Sequence, residues 1–260
     1  LMKNGDTIVN VDRSILSKLK DGSLKLKNLV TNLDTIIFCA AKVPSKSPQD
    51  YFENIELVND VVNLIEEIPF KYILNISSDA VYSDYDRAIS ESDPPNPTTL
   101  HGMMHFSREL ILKSIFKRKL GNMRPTLVYG PGDRHNSYGP NRFIREGLNG
   151  NEIHIIGEGE ELRDHIFIDD VAKITVEMIK SRMLGDLNAA TGVCTSFKAI
   201  AQFVKQAIPS SKITYLERKV KKLPHNGYRA FDISKLGSLN KHLKLTEIQD
   251  GIQMTVMNYS

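Results

Sequence analysis

The chain has 260 residues, 41% hydrophobic and 25% charged, with 34 Lys and Arg against 31 Asp and Glu for a net charge of +3. That composition excludes disordered, collagen-like and coiled-coil classes, and the length suffices for one large α/β domain or two modest ones. Charges of both signs are mixed along the chain, so no basic stripe offers itself to nucleic acid, and no apolar run reaches the ~18 residues of a membrane span. The cysteines, Cys39 and Cys194, lie far apart in apolar runs; this predicts buried, reduced thiols and a cytoplasmic protein.

The opening Leu-Met-Lys-Asn-Gly lacks the pattern of a signal peptide and reads as the last turn of a helix closing on an Asn4–Gly5 cap. A chain that has lost its beginning is the expectation. Residues 7–12 alternate as a short strand ending in Asp12, and 14–33 form surface helix and loop. The apolar run 34–41 predicts a strand buried on both faces of a parallel sheet. A helix over about 49–67, a second buried strand over 72–78, a helix over about 99–118 and a strand over 124–129 follow. Strands alternating with long helices give βαβ units. Farther on, 153–156, 165–168 and 186–190 read as strands, and 170–181, 196–207 and 246–259 as helices. Gly157-Glu158-Gly159 reads as a tight turn rather than a phosphate loop. Lys219–Pro224 is a basic loop. Asn75-Ile76-Ser77 matches a glycosylation sequon but falls in a buried strand.

Five segments in order carry a resemblance: Asp34–Ala41, Ser77-Ser78-Asp79-Ala80-Val81-Tyr82, Arg124–Asp133, Arg163–Ala172 and Asn188-Ala189-Ala190-Thr191-Gly192. Together, from about residue 5 to 257, they resemble the extended short-chain dehydrogenase/reductase family, whose typical members are NAD-dependent nucleotide-sugar epimerases and dehydratases. The resemblance implies a Rossmann-like, doubly wound parallel sheet, its first strand missing here, with a smaller C-terminal substrate lobe. It implies a cofactor domain over 1–135 that also takes in about 165–192, and a substrate-binding lobe over 136–164 and 193–260. It further implies bound NAD, a nucleotide-sugar substrate, and a homodimer through the helices near 49–67 and 99–118.

Residue by residue, the resemblance puts catalysis on Ser78, His101 and His105. It puts cofactor contacts on Asp12, Ala40, Ala41, Ser77 and Pro125, and substrate contacts on Asp79, Arg163 and Arg229. Two departures stand out. The Tyr-x-x-x-Lys pair of the family reads His101-Gly102-Met103-Met104-His105, and no glycine-rich loop precedes Asp12. A histidine can move a proton near neutrality, since its ordinary pKa is about 6.5, but it does not supply the fixed charge of a lysine. Ala80 stands where dehydratases carry a second acid, which disfavours dehydration.

Each residue has a plainer alternative. Asp12 suits a ribose diol or a helix N-cap. Ser78 either assists catalysis or satisfies the next turn. His101 and His105, four apart on one helix face, could exchange protons, hold zinc with a loop group such as Asp133 or His135, or be inert; no third ligand is evident, and no metal is expected. Arg163 suits a pyrophosphate by bidentate geometry or a local salt bridge. Lys221, Lys222 and Arg229 are weaker candidates for the same anion. The function expected is a nucleotide-sugar epimerase or reductase moving a hydride at a sugar carbon; the alternative is an inactive relative that binds a nucleotide or a partner.

Overall fold

The computed structural model describes residues 7–30, 33–66, 68–133, 136–219 and 223–259. The expected Asn4–Gly5 cap, His135, Lys221 and Lys222 lie outside the described residues. The elements run α1 (Arg13–Lys20), α2 (Leu26–Leu29), β1 (Thr35–Phe38), α3 (Pro48–Glu66), β2 (Tyr72–Ile76), α4 (Leu100–Phe116) and β3 (Leu120–Pro125). There follow β4 (Leu127–Tyr129), α5 (Pro140–Leu148), β5 (Glu152–Ile156), β6 (Leu162–Phe167), α6 (Ile168–Ser181), β7 (Gly185–Ala189) and β8 (Cys194–Ser196). Last come α7 (Phe197–Ala207), β9 (Lys212–Leu216), β10 (Tyr228–Arg229), α8 (Ser234–Leu239) and α9 (Ile248–Tyr259). The chain divides into two compact units. One takes in the chain up to Val81, Pro95–Met123 and Thr175–Asp186; the other takes in Tyr82–Pro94, Arg124–Ile174 and the chain from Leu187 on.

The first unit is built on a sheet of order β1-β2-β3-β7, in which β1, β2 and β3 are mutually parallel. Tyr72, Ile73 and Leu74 of β2 are fully buried, as a strand covered by helices on both faces requires. Phe38, Val58, Val62, Ile65, Phe70, Leu112 and Phe116 form its core with α3 and α4. Asn75 donates to Asn122 Oδ1 at 2.9 Å, and Asn122 donates to Asp186 at 2.8 Å, so polar side chains form a chain of hydrogen bonds inside the sheet. With Asn75 fully buried, the sequon is inaccessible. Helix α3 starts at a reciprocal cap: Ser47 N donates to Asp50 at 3.0 Å and Asp50 N to the Ser47 hydroxyl at 3.1 Å.

Residues 7–12 are not a strand. Among the described residues no strand pairs with them, and Asp12 turns the chain at once into α1 by accepting from the amides of Ser14 and Ile15, each at 2.9 Å. Cys39 is exposed rather than buried because it stands just past the end of β1, the edge of the sheet as described; both cysteines are free thiols. The strand expected over 124–129 is two strands that part at Thr126, which follows a proline and gives its amide to Ala189 O and its hydroxyl to Asp164 O.

In the second unit β6 lies between β10 and β4, parallel to both, and pairs antiparallel with β8; β5 and β9 form a separate parallel pair. Tyr129, Phe143, Ile153, Phe167, Phe197, Ile200 and Ile252 pack the core between strands and α5, α7 and α9. Gly157 and Gly159, with φ of +62° and +67°, confirm the tight turn after β5. Among the described residues no helix is long and apolar enough to cross a membrane.

Candidate active site

Helix α4 of the first unit is capped by Thr99, whose hydroxyl accepts from Gly102 N at 3.1 Å. Gly102 sets how close that helix comes. A Cβ there would lie 2.0 Å from the carbonyl oxygen of Ala80, so only glycine lets the first turn of α4, with His101 on it, rest against the 3-10 turn Asp79–Val81. Ser78 opens that turn: its hydroxyl accepts from Ala80 N at 3.1 Å and lies 3.4 Å from Asp79 Oδ1. Ser78, Asp79 and His101 are all half-buried.

One turn on, the His105 ring meets the His101 ring edge to face, 4.7 Å between centroids. His105 is 5% exposed. Burial, reinforced by the positive charge of Arg108 and by His101, pushes its pKa down to about 2, so the ring is neutral. Arg108, three residues farther along the same face, reaches the carbonyl of Ala40 at 3.0 Å and that of Ile76, at the ends of β1 and β2. Beside them Ser77 donates to Glu109 Oε1 at 2.5 Å. Ala40 is exposed and Ala41 half-buried at the same strand ends. Asp12 stands apart in role: it caps α1, and the amide of Ile15 and hydroxyl of Ser14 hold its carboxyl below the ordinary value. Among the described residues no group of three or more His, Cys, Asp or Glu side chains is placed to hold a metal.

In the second unit Arg163 and Arg229 occupy paired positions on β6 and β10 and are 4% and 5% exposed. Arg163 donates to the carbonyls of Leu162 and Pro224, at 2.8 and 2.6 Å. Burial lowers its pKa and Arg229 adds to that, while Glu161 and Asp84 oppose it. Arg229 donates to Asp84 Oδ1 at 2.9 Å, and the same oxygen lies 2.6 Å from His225 Nδ1. His225 and Asn226 hold left-handed φ of +51° and +50° to bring this contact about. The two guanidinium groups are buried on paired strand positions, with Asp84 as a partly exposed carboxylate beside Arg229. Pro125, the proline ahead of the break at Thr126, is buried in this unit. Sequence reasoning missed Arg108, Asp84 and His225.

Residues 1–190 match the family model of the NAD dependent epimerase/dehydratase family. The chain belongs to that family. An uncharacterized UDP-glucose epimerase of Bacillus subtilis (strain 168) is 23% identical over 240 residues, covering 87% of this chain and 74% of the relative. The fold is that of a UDP-glucuronic acid 4-epimerase from Bacillus cereus solved with UDP-glucuronic acid and NAD: TM-score 0.77, 20% identity, 99% of this chain and 92% of that one. It is likewise that of a UDP-N-acetylglucosamine 4-epimerase from Methanobrevibacter ruminantium M1 in complex with UDP-N-acetylmuramic acid: TM-score 0.75, 23% identity, 87% of this chain and 76% of that one. The expected α/β, Rossmann-like fold class and family are therefore correct.

Proposed function

We propose that this chain is an NAD-dependent nucleotide-sugar epimerase in which His101 replaces the usual tyrosine as acid/base. The observation that carries the substrate class is the pair of buried, adjacent guanidinium groups of Arg163 and Arg229, charge and donors suited to a nucleotide diphosphate. The ends of β1 and β2, with Ala40, Ala41 and Ser77, fit a dinucleotide: they are the carboxyl ends of parallel strands, where open α/β sheets bind such ligands. Asp12 would accept from the adenosine ribose through Oδ2, since its capping contacts all fall on Oδ1, and Pro125 would pack beside the cofactor. NAD, when bound, supplies reversible hydride acceptance at the sugar carbon. The chain's own part is to orient the sugar hydroxyl with Ser78 and Asp79, and to take and return its proton at His101, whose residue type titrates near neutrality.

A second reading, a nucleotide-binding relative without turnover, is favoured by one observation: the lysine position is a neutral, buried His105. Titration with UDP and UDP-glucose, followed by proton NMR for conversion of the sugar, separates the two. Binding with turnover that is lost in His101→Ala supports the enzyme; binding without turnover supports the second reading; no binding of UDP removes both.

In this reading 1–135 with about 165–192 carry the cofactor and 136–164 with 193–260 form the substrate-binding lobe, and the free thiols suit a cytoplasmic setting. The chain would pair as a homodimer through α3 and α4. Leu100, Met103 and Leu110 of α4 are 40%, 42% and 50% exposed and Phe52 of α3 is 60% exposed, an apolar face that wants a cover.

A further inference from the structure

A lysine at position 105 would put a mobile cation on α4, one turn from His101. This chain buries its cation instead. Arg108 is 1% exposed, its Cζ 4.9 Å from the centroid of the Phe38 ring, and its guanidinium is fastened to the carbonyls of Ala40 and Ile76. The same Nη2 that serves Ile76 lies 3.2 Å from Nδ1 of His105. A guanidinium has donors and no acceptor. Nδ1 of His105 must therefore accept, and the single proton of the ring must sit on Nε2.

We propose that Arg108 is a positioning residue that holds His105 as a neutral imidazole protonated on Nε2, so that the lysine position offers an N–H donor and no charge. The charged and titratable neighbours agree with this. Arg108 repels a second positive charge at His105 and His101 does the same from the preceding turn, while Arg108 itself, lowered to about 10 by burial against the opposing Glu109 and Cys39, stays cationic at neutral pH. The inference deepens the functional reading above and rests on it in one respect: an Nε2–H can hold a ribose hydroxyl as an ammonium would, but it cannot lower the pKa of an acid/base beside it. A tyrosine, titrating near 10, needs that help. A histidine does not. The two replacements in His101-x-x-x-His105 are thus a matched set rather than two separate losses.

The test is a two-bond proton–nitrogen correlation spectrum of the full chain with 15N-labelled histidine, recorded from pH 5 to 9, the His105 signals being assigned by their disappearance in His105→Gln. The expected result is an Nε2–H pattern for His105 that does not move with pH, and, in Arg108→Met, a share of the Nδ1–H tautomer in a ring that burial still keeps neutral. A parent His105 that is Nδ1–H, or that titrates in this range, overturns the proposal, and this needs no folded variant. Signals unchanged in folded Arg108→Met overturn it as well. Native mass spectrometry of the same samples separates this result from the functional reading: a parent that shows the expected tautomer but binds neither NAD nor UDP disproves the function and leaves the role of Arg108 standing.

Discussion

Arg163 and Arg229 are register partners on neighbouring parallel strands, both nearly out of reach of solvent, and the carboxylate that answers Arg229 belongs to Asp84, 145 residues away in sequence. Burial lowers the pKa of Arg163 and the nearby Arg229 adds a smaller repulsion; under the proposed function a diphosphate would offset that repulsion. Arg229→Gln is expected to weaken UDP binding by about thirtyfold or more, since removing one partner of a buried charge pair costs about 2–5 kcal/mol. Arg229→Lys should recover little of it, because an ammonium lacks the planar fork. Isothermal titration with UDP reads both, and undiminished binding in Arg229→Gln would place the anion elsewhere.

Asp84 competes with any such anion for Arg229. Its side chain is 36% exposed, so it can be displaced at modest cost. Asp84→Asn should keep the fold and tighten UDP binding a few-fold; weaker binding would make Asp84 part of the ligand cradle rather than its rival.

What the sequence made legible follows from where local pattern decides structure. The run 72–78 reads as a buried strand because every side chain in such a strand is covered, and β2 lies within it. The run 34–41 reads the same way, but β1 within it is only partly covered, Ile37 being 38% exposed, because β1 is the edge of the sheet as described. The long helices declared themselves by their length, while their caps at Ser47 and Thr99 emerged only with the structure. Residues 7–12 misled because alternation indicates what could pair, while pairing needs a partner. The site was legible only where a single residue stood at a motif position. Arg108 was invisible as an arginine in the middle of a helix, normally a solvated residue; only its spacing of three from His105 hinted at contact. The Asp84–His225 contact joins residues 141 apart, and nothing local in either segment announces it.

Gly102 tests whether the approach of α4 matters. In Gly102→Ala the new methyl would meet the Ala80 carbonyl, a backbone group that cannot swing away. The expected cost is about 1–3 kcal/mol of stability, the usual range for overpacking, read from urea midpoints. Turnover should fall further than stability, because His101 moves with the helix. A variant as stable and active as the parent would show that the helix has slack.

The apolar face on α3 and α4 predicts a concentration-dependent dimer. Tyr51 Oη and Ser107 Oγ, 2.9 Å apart, tie the two helices into one surface. Phe52→Asp with Leu110→Asp should give a folded monomer by analytical ultracentrifugation, since charges at the centre of an apolar interface are unfavourable. A parent that sediments as a monomer at tens of micromolar would refute the pairing.

Acid should unfold this protein through two histidines. His165, buried on β6, is pushed down to about 3 by loss of hydration, and His105 to about 2. In the unfolded chain both rings take up protons near pH 6.5. Below that value the unfolded state binds more protons than the folded one, so their contribution is fully present above about pH 6.5 and drains away as pH falls toward 3. Each ring contributes a slope of up to about 1.4 kcal/mol per pH unit. His165→Phe should remove one of these slopes and fit its site, where the ring already meets Phe197 edge to face at 5.9 Å. Urea midpoints at pH 7 and pH 5 should therefore differ less in the variant than in the parent. Equal differences in the two proteins would mean that His165 accepts its proton without unfolding.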